Sequence, residues 1–145
     1  MSAYPPPAEL LPHRGRAVLL DEVVEADDVR VVCRVVIREG SPFVEGGTVP
    51  AVIVLEYMAQ TIGAQAGLRA RDSGEAPRVG FLLGTRDLTL PPGGLAVGDD
   101  LLVEAIRIFG DESIGSFDCT VRRGGVPVAA GTLNVYLPPR EGAPG

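Results

Sequence analysis

Apolar and polar residues alternate along most of this chain in the way that β-strands require. Residues 17–25 are apolar and β-branched, and residues 29–38 interleave polar side chains with valines and one isoleucine. A polar turn at residues 26–28 separates the two segments and predicts an antiparallel hairpin. Further strands are expected at the residues that continue this pattern, namely 78–83, 88–90, 101–109, 113–123 and 126–137, with a tight Gly124-Gly125 turn before the last.

One segment has a different period. Residues 50–71 are rich in Ala, Leu, Met and Gln, and apolar side chains recur there at helical spacing. Thr48 is the expected N-cap, and Pro50 suits the first turn. The pattern predicts a single long helix. An antiparallel sheet that curves around this helix would bury its apolar face, which indicates an α+β fold.

The length predicts one domain. The chain has 145 residues, and we expect residues 1–145 to form a single unit with a folded core at about 8–137 and Pro/Gly-rich tails at both ends. The composition is 46% hydrophobic and 22% charged. A disordered chain would be less hydrophobic and more highly charged.

Charge and composition exclude several classes of function. The net charge of −6 argues against a nucleic-acid-binding surface. The longest apolar run, residues 51–55, is far too short to span a membrane. With no targeting pattern, we expect a cytoplasmic protein whose Cys33 and Cys119 are reduced core residues. One histidine and two cysteines leave no basis for a metal site.

Glu56 is the most informative polar residue of the predicted helix. It follows five apolar residues, and the positions one turn away on its face are Val52 and Gln60. A carboxyl desolvated in such surroundings can hold a proton near neutral pH and donate it to a leaving group. The alternative is that Glu56 faces solvent as an ordinary helix-surface carboxylate.

Two other features bear on chemistry. His13 is the only imidazole of the chain and therefore the only side chain whose ordinary titration lies near pH 7. Gly46-Gly47 precedes the helix, where free backbone N–H groups can hold an anion or a polarised carbonyl. Each feature also has a structural interpretation, as a packed histidine and a flexible turn. Gly63 and Gly67 indicate a close approach to the helix by packed backbone or by a ligand.

Three motifs together resemble the 3-hydroxyacyl-ACP dehydratases of the FabZ/FabA type. They are Leu10-Leu11-Pro12-His13-Arg14 with the apolar segment after it, the helix motif Val54-Leu55-Glu56-Tyr57-Met58-Ala59-Gln60, and Phe81-Leu82-Leu83-Gly84. The similarity spans nearly the whole predicted core. The ApeP-like predicted dehydratases of aryl-polyene gene clusters are the most similar subgroup.

The resemblance implies a hot-dog fold, in which a curved antiparallel sheet wraps one helix, and a dimer whose sheets join edge to edge. It implies an acyl chain bound as a phosphopantetheine thioester of acyl carrier protein, with no cofactor of the enzyme's own. Glu56 matches the family's acid, and Ala51 falls on the position whose N–H polarises the thioester carbonyl. We expect Gln60 of the helix motif, and Gly46 and Gly47 of the loop before it, to contact the substrate with Ala51.

The chain departs from the family at its base. The family carries a catalytic histidine in a His-x-Pro-Gly loop before the helix, whereas residues 43–49 contain no histidine. His13 could replace it only if the fold brings it to Glu56, within one chain or across a dimer. Glu45 is the other candidate, and a missing base costs about 10²–10⁴-fold in rate.

Three functions therefore remain open. The first is a dehydratase with Glu56 and a relocated base, acting in fatty-acid or polyene-type synthesis. The second is a silent acyl-ACP-binding subunit, as a homodimer or paired with an active paralogue. The third is a hot-dog thioesterase in which Glu56 activates water. Because carrier proteins of this family are acidic, docking needs local positive charge, for which we expect Arg69, Arg71 and Arg78.

Overall fold

Six strands pair antiparallel in one sheet, in the order β1-β2-β6-β7-β8-β4. The structure is a computed structural model that describes residues 3–111 and 113–139. The strands of this sheet are β1 Glu22–Ala26, β2 Arg30–Val36, β4 Phe81–Thr89, β6 Asp100–Gly110, β7 Ile114–Arg123 and β8 Val126–Tyr136, and a separate two-stranded sheet consists of β3 Thr48–Val49 and β5 Leu95–Ala96. The helices are α1 Pro7–Leu10 and α2 Val54–Asp72. The predicted α+β arrangement of one hairpin, one long helix and further antiparallel strands is confirmed.

The core lies between α2 and one face of the sheet. Alternate residues of β6, Leu101, Val103 and Ala105, are completely buried on that face. The helix buries Val54, Met58 and other apolar side chains against them. Strand alternation and helical periodicity thus direct the same apolar set into one layer.

The start of the helix differs from the prediction. A 3-10 turn at Ala51–Ile53 precedes α2, and no side chain caps either element. Thr48 is not the N-cap, because it lies in β3, where its hydroxyl donates to the carbonyl of Glu45. The short β3–β5 pairing therefore determines the conformation that sequence reasoning assigned to a cap.

Residues 17–25 do not form one strand. The segment begins with a 3-10 turn at Gly15–Ala17, and β1 starts only at Glu22. The side-chain amide of Gln60 binds the carbonyl of Ala17 and the N–H of Leu19, so these groups are not available to a strand ladder. The segments 78–83 and 88–90 instead join in the single strand β4.

The ordered contacts begin before residue 8. The hydroxyl of Tyr4 donates to the carbonyl of Ala26 at 3.3 Å and accepts from its N–H at 3.1 Å. A Cβ at Gly67 would lie 2.0 Å from the carbonyl oxygen of Leu10. The close approach to this glycine is therefore made by the backbone of α1. Of the predicted tails, residues 1–2 and 140–145 lie outside the described residues.

The turn and thiol predictions hold. Gly124 and Gly125 connect β7 to β8 with φ of 59° and 80°, the left-handed values that a two-residue hairpin turn requires. Cys33 and Cys119 are free and buried. Burial raises the pKa of each thiol to about 12, so neither is a reactive thiolate near neutral pH.

Candidate active site

The fold brings His13 and Glu56 together. The imidazole Nε2 lies 3.4 Å from the carboxylate Oε1, and the two side chains are 33% and 44% exposed. Glu56 is in the first turn of α2, and His13 is in the segment that follows α1. A base candidate and an acid candidate from distant parts of the sequence thus form one pair.

Gln60 holds the carboxylate of this pair through a hydrogen bond. Its side chain is almost completely buried, and its Nε2 donates to Glu56 Oε1 at 2.9 Å and to the carbonyl of Ala17 at 2.7 Å. Its Oε1 accepts the N–H of Leu19 at 2.9 Å. Residues four apart share one face of a helix, so Gln60 reaches Glu56 directly. One amide therefore joins the acid-bearing helix to the segment that follows His13.

The second nitrogen of His13 is buried. Its Nδ1 makes no hydrogen bond to any residue in the described ranges. A neutral imidazole carries one proton, and a neighbouring carboxylate favours that proton on the nitrogen facing it. The lone pair of Nδ1 is thus enclosed by protein, and the Nε2 side of the ring is the one that faces Glu56.

A cavity of about 240 Å³ extends from this pair between α2 and the sheet. Phe117 and Val135 line it from the sheet. The apolar or small residues that line it from the helix are Leu55, Ala59, Ile62, Gly63 and Ala66, and the polar ones are Glu56, Gln60 and Gln65. The cavity therefore offers an apolar slot that begins at a carboxylate and an imidazole.

The expected desolvation of Glu56 is not observed. Nearly half of its side chain is accessible, and a hydrogen bond from Gln60 replaces the apolar contacts that the sequence indicated. Gln60 lines the cavity, but both ends of its amide are engaged by protein groups. Gln60 thus acts on a bound molecule through the position of Glu56.

The structure does not bring Gly46, Gly47 or Ala51 to this cavity. The two glycines form a tight turn between Glu45 and Thr48, whose backbones bond to each other in both directions. Ala51 starts the 3-10 turn before α2 and is absent from the cavity lining. Glu45, the alternative base, is exposed on the same turn and is likewise absent from the lining.

The three predicted docking arginines contact three different elements. Arg69 donates to the carbonyl of Asp28, and Arg71 lies 3.4 Å from a carboxylate oxygen of Glu9. Arg78 donates to the carbonyl of Pro138 and lines the cavity. Their contacts therefore spread the positive charge over the end of the helix and the cavity rim, without joining it in one cluster.

Sequence reasoning missed Arg107. This residue lines the cavity, and its guanidinium carbon lies 5.5 Å from the centroid of the Phe117 ring. The signal was available, because Arg107 continues the alternate-residue row that Leu101, Val103 and Ala105 begin. This arginine at an inward position of a strand was not considered from the sequence.

No helix among residues 3–111 and 113–139 is long and apolar enough to cross a membrane. Within the same ranges, no three His, Cys, Asp or Glu side chains are grouped so that they could hold a metal ion.

Comparison with known proteins gives consistent results. The profile of the ApeP-like family, described as ApeP dehydratase, matches residues 5–143. The 3-hydroxyacyl-[acyl-carrier-protein] dehydratase FabZ of Brucella ovis is 33% identical over 126 residues, which is 83% of this chain and 78% of that protein.

Solved structures extend the similarity to three dimensions. The dehydratase heterocomplex ApeI:P from Xenorhabdus doucetiae contains a chain that is 32% identical, with a TM-score of 0.89 over 94% of this chain and 93% of the other. A hypothetical thioesterase from Streptococcus pneumoniae is 13% identical with a TM-score of 0.59, covering 82% and 86% of the two chains. The second likeness is one of fold alone, and it identifies the sheet wrapped around α2 as a hot-dog fold.

Proposed function

Since the chain belongs to the ApeP-like dehydratase family, we propose that it acts on 3-hydroxyacyl groups bound as thioesters to acyl carrier protein. The product is the enoyl thioester, and the same reaction runs in reverse as hydration. The observation that carries the proposal is the His13–Glu56 contact at the start of an apolar cavity. We place the activity in the cytoplasm, in keeping with the two free thiols.

The pair supplies the two proton transfers that dehydration needs. The imidazole of His13 accepts the proton from the carbon next to the thioester carbonyl, and the electrons of that C–H bond form the new C=C bond. A bound acyl chain removes water from the Glu56 carboxyl and so favours its protonated form, and this form gives its proton to the β-hydroxyl as the C–O bond breaks and water leaves. The 3.4 Å contact then lets the imidazolium return its proton to the carboxylate.

The cavity supplies binding and orientation. An acyl chain in the slot along α2 removes apolar surface from water, and this burial holds the reacting carbons beside the pair. The protein needs no cofactor of its own, because the phosphopantetheine arm of the carrier presents the thioester. For the acidic carrier we retain Arg69, Arg71 and Arg78 as docking residues, of which Arg78 lies at the cavity itself.

A second candidate function is an acyl-binding subunit that completes its site with a paralogous dehydratase. Two observations favour it: residues 43–49 contain no histidine, and a chain of similar structure belongs to the dehydratase heterocomplex ApeI:P. The strand β4 lies at one edge of the sheet, and Phe81, Leu82 and Leu83 are exposed along it. An apolar edge strand of this kind suits pairing with the sheet of a second subunit, either a paralogue or another copy of this chain.

The test is a turnover assay with 3-hydroxyacyl and enoyl thioesters on carrier protein, followed by mass spectrometry. If the proposal is correct, the purified chain interconverts the two. Glu56→Gln and His13→Ala each lower the rate by about 10²–10⁴-fold, whereas Glu45→Gln, outside the cavity, leaves it unchanged. Turnover that survives His13→Ala contradicts the assignment of the base. Turnover that appears only with a paralogous dehydratase supports the second candidate, and release of free acid identifies a thioesterase.

A further inference from the structure

Two glycines of α2 have different surroundings. A Cβ at Gly67 would lie 2.0 Å from the carbonyl oxygen of Leu10, so a backbone contact explains that glycine. A Cβ at Gly63 would lie 3.1 Å from Cδ2 of Leu11, and among the described residues no other atom outside the adjoining helix is within 4 Å of it. Glycine is, after proline, the least favourable residue inside a helix. The backbone contact that accounts for Gly67 therefore does not account for Gly63.

The space at Gly63 belongs to the cavity. Gly63 lines it together with Ala59 and Ala66, which lie on the same side of α2 at spacings of four and three residues. Leu11, whose side-chain end faces Gly63, lines it as well and is only 1% exposed. A methyl group at position 63 would enter the cavity or push the enclosed Leu11 side chain towards it, because the packed core leaves no other free space. Either change narrows the cavity at this level.

Helix geometry gives the position of Gly63 relative to the reacting pair. Since all three residues lie in α2, Gly63 is about 10 Å along the helix axis from Glu56, and Ala66 is about 4.5 Å further. An extended acyl chain advances about 1.3 Å per carbon, because its C–C bonds are about 1.5 Å long and zigzag. A chain whose third carbon lies at Glu56 therefore reaches the level of Gly63 near its eleventh carbon, and the cavity continues beyond that level to Ala66.

We propose that Gly63 is a specificity-determining residue for chain length, and that its missing side chain admits acyl chains of more than about ten carbons. Such a chain passes Gly63 and removes further apolar surface from water between α2 and the sheet. A side chain at position 63 would end this path, while shorter chains would bind as before. The inference rests on the proposed function for the acyl thioester and for the placement of its reacting carbons at Glu56.

Saturated chains separate binding from chemistry, because they carry no β-hydroxyl to eliminate. The ligands are acyl-pantetheine thioesters of about 6 to 16 carbons, a range that spans the level of Gly63. They are kept below their micelle-forming concentrations, and binding is measured by calorimetry. We expect the affinity of the wild-type protein to keep rising beyond the tenth carbon, by about 3- to 4-fold per added methylene. An affinity that stops rising before about ten carbons overturns the proposal.

Variants at two levels of the helix locate the limit. Gly63→Ala should bind the shortest chains within about 2-fold of wild type and lose at least about 10-fold for chains of about twelve carbons or more. Ala66→Leu should begin to lose affinity about three to four carbons later, because it lies about 4.5 Å further along α2. Gly40→Ala is the matched control, since Gly40 is exposed, lies outside the lining and has no atom within 4 Å of its Cβ position. This control should keep the whole wild-type series.

The dependence on length distinguishes this role from simple packing. If Gly63 only accommodates Leu11, Gly63→Ala lowers the affinity equally for all chain lengths, and this result overturns the proposal. A series that is unchanged in Gly63→Ala overturns it as well. If Gly63→Ala does not fold by circular dichroism, the wild-type series and the later limit in Ala66→Leu decide.

Failure here and failure of the proposed function give different results. A length limit that moves with these variants, in a protein that does not dehydrate 3-hydroxyacyl thioesters, keeps the role of Gly63 and contradicts the dehydratase. Dehydration by a protein whose length limit ignores Gly63→Ala keeps the dehydratase and contradicts the role of Gly63.

Discussion

Replacing Gln60 with alanine tests whether one buried amide holds the two halves of the site together. The change leaves the carbonyl of Ala17 and the N–H of Leu19 without their partner and releases Glu56 from a 2.9 Å hydrogen bond. A buried polar group left unsatisfied costs about 1–3 kcal/mol, so two such groups cost roughly 2–6 kcal/mol. The free energy of unfolding of a domain of this size is about 5–15 kcal/mol, so the variant is expected to fold with reduced stability.

Gln65 provides a matched control on the same helix. It is also buried, and its Nε2 donates to the carbonyl of Asp27 at 2.9 Å. Gln65→Ala therefore removes one buried hydrogen bond and destabilises the chain by about 1–3 kcal/mol, but it leaves the contacts of His13 and Glu56 in place. The two variants separate a loss of stability from a loss of positioning.

Two measurements decide the outcome. Urea unfolding gives the free-energy difference for each variant. Since His13 is the only histidine, its imidazole gives a single set of resonances that reports directly on the site. We expect these resonances to shift in Gln60→Ala and to stay unchanged in Gln65→Ala. Because Gln65 also lines the cavity, its removal changes KM, whereas only Gln60→Ala alters kcat and its pH profile.

The reasoning is refuted if Gln60→Ala costs no more stability than Gln65→Ala and leaves the imidazole resonances in place. Gln60 would then be an ordinary core residue, and another contact would hold His13 beside Glu56.

Three further predictions concern the scaffold. Gly67→Ala places a Cβ 2.0 Å from the carbonyl oxygen of Leu10. Although alanine favours a helix, this clash should lower the free energy of unfolding by about 1–3 kcal/mol and lower Tm with it. A raised Tm would contradict the close contact. Backbone N–H groups, chiefly that of Arg30, lower the pKa of Asp27 below its ordinary 3.8. Its ionised form therefore stabilises the fold above that pH and loses this effect as pH falls, so wild type and Asp27→Asn should differ in denaturant midpoint near neutral pH and converge in acid. Since burial raises the pKa of Cys33 to about 12, a thiol reagent at pH 8 should label it only when denaturant opens the core.

The sheet and the long helix were predictable because each follows from a local pattern. Apolar residues alternate along β6 and recur every three to four residues along α2, and both patterns can be recognised in one continuous stretch of sequence. The Gly124-Gly125 turn was equally local. The errors fall where a distant residue replaces a local partner, as when Gln60 binds Ala17 and Leu19 and prevents a strand there.

The candidate site was predictable in its parts and not in its geometry. Glu56 and His13 were identified by residue type and motif, but their contact depends on how α1 and the segment after it cross α2. The placement of Gly46, Gly47 and Ala51 followed from the position of the loop before the helix, and the β3–β5 pairing turns that loop away from the cavity. The number of residues between this loop and the helix does not show in which direction the loop faces.

Two of the three motifs that suggested a dehydratase are physically one unit. The motif around Glu56 ends in Gln60, and the amide of Gln60 binds the backbone that follows His13 in the other motif. A sequence that keeps this amide, this backbone and a histidine at position 13 keeps an imidazole within reach of the helix carboxylate, whatever happens in the loop before the helix. The absence of a loop histidine therefore removes one base from the site and leaves another in place. If His13→Ala left turnover intact in the presence of a paralogous subunit, the contacts of Gln60 would serve to position Glu56 alone. The proton acceptor would then come from the partner.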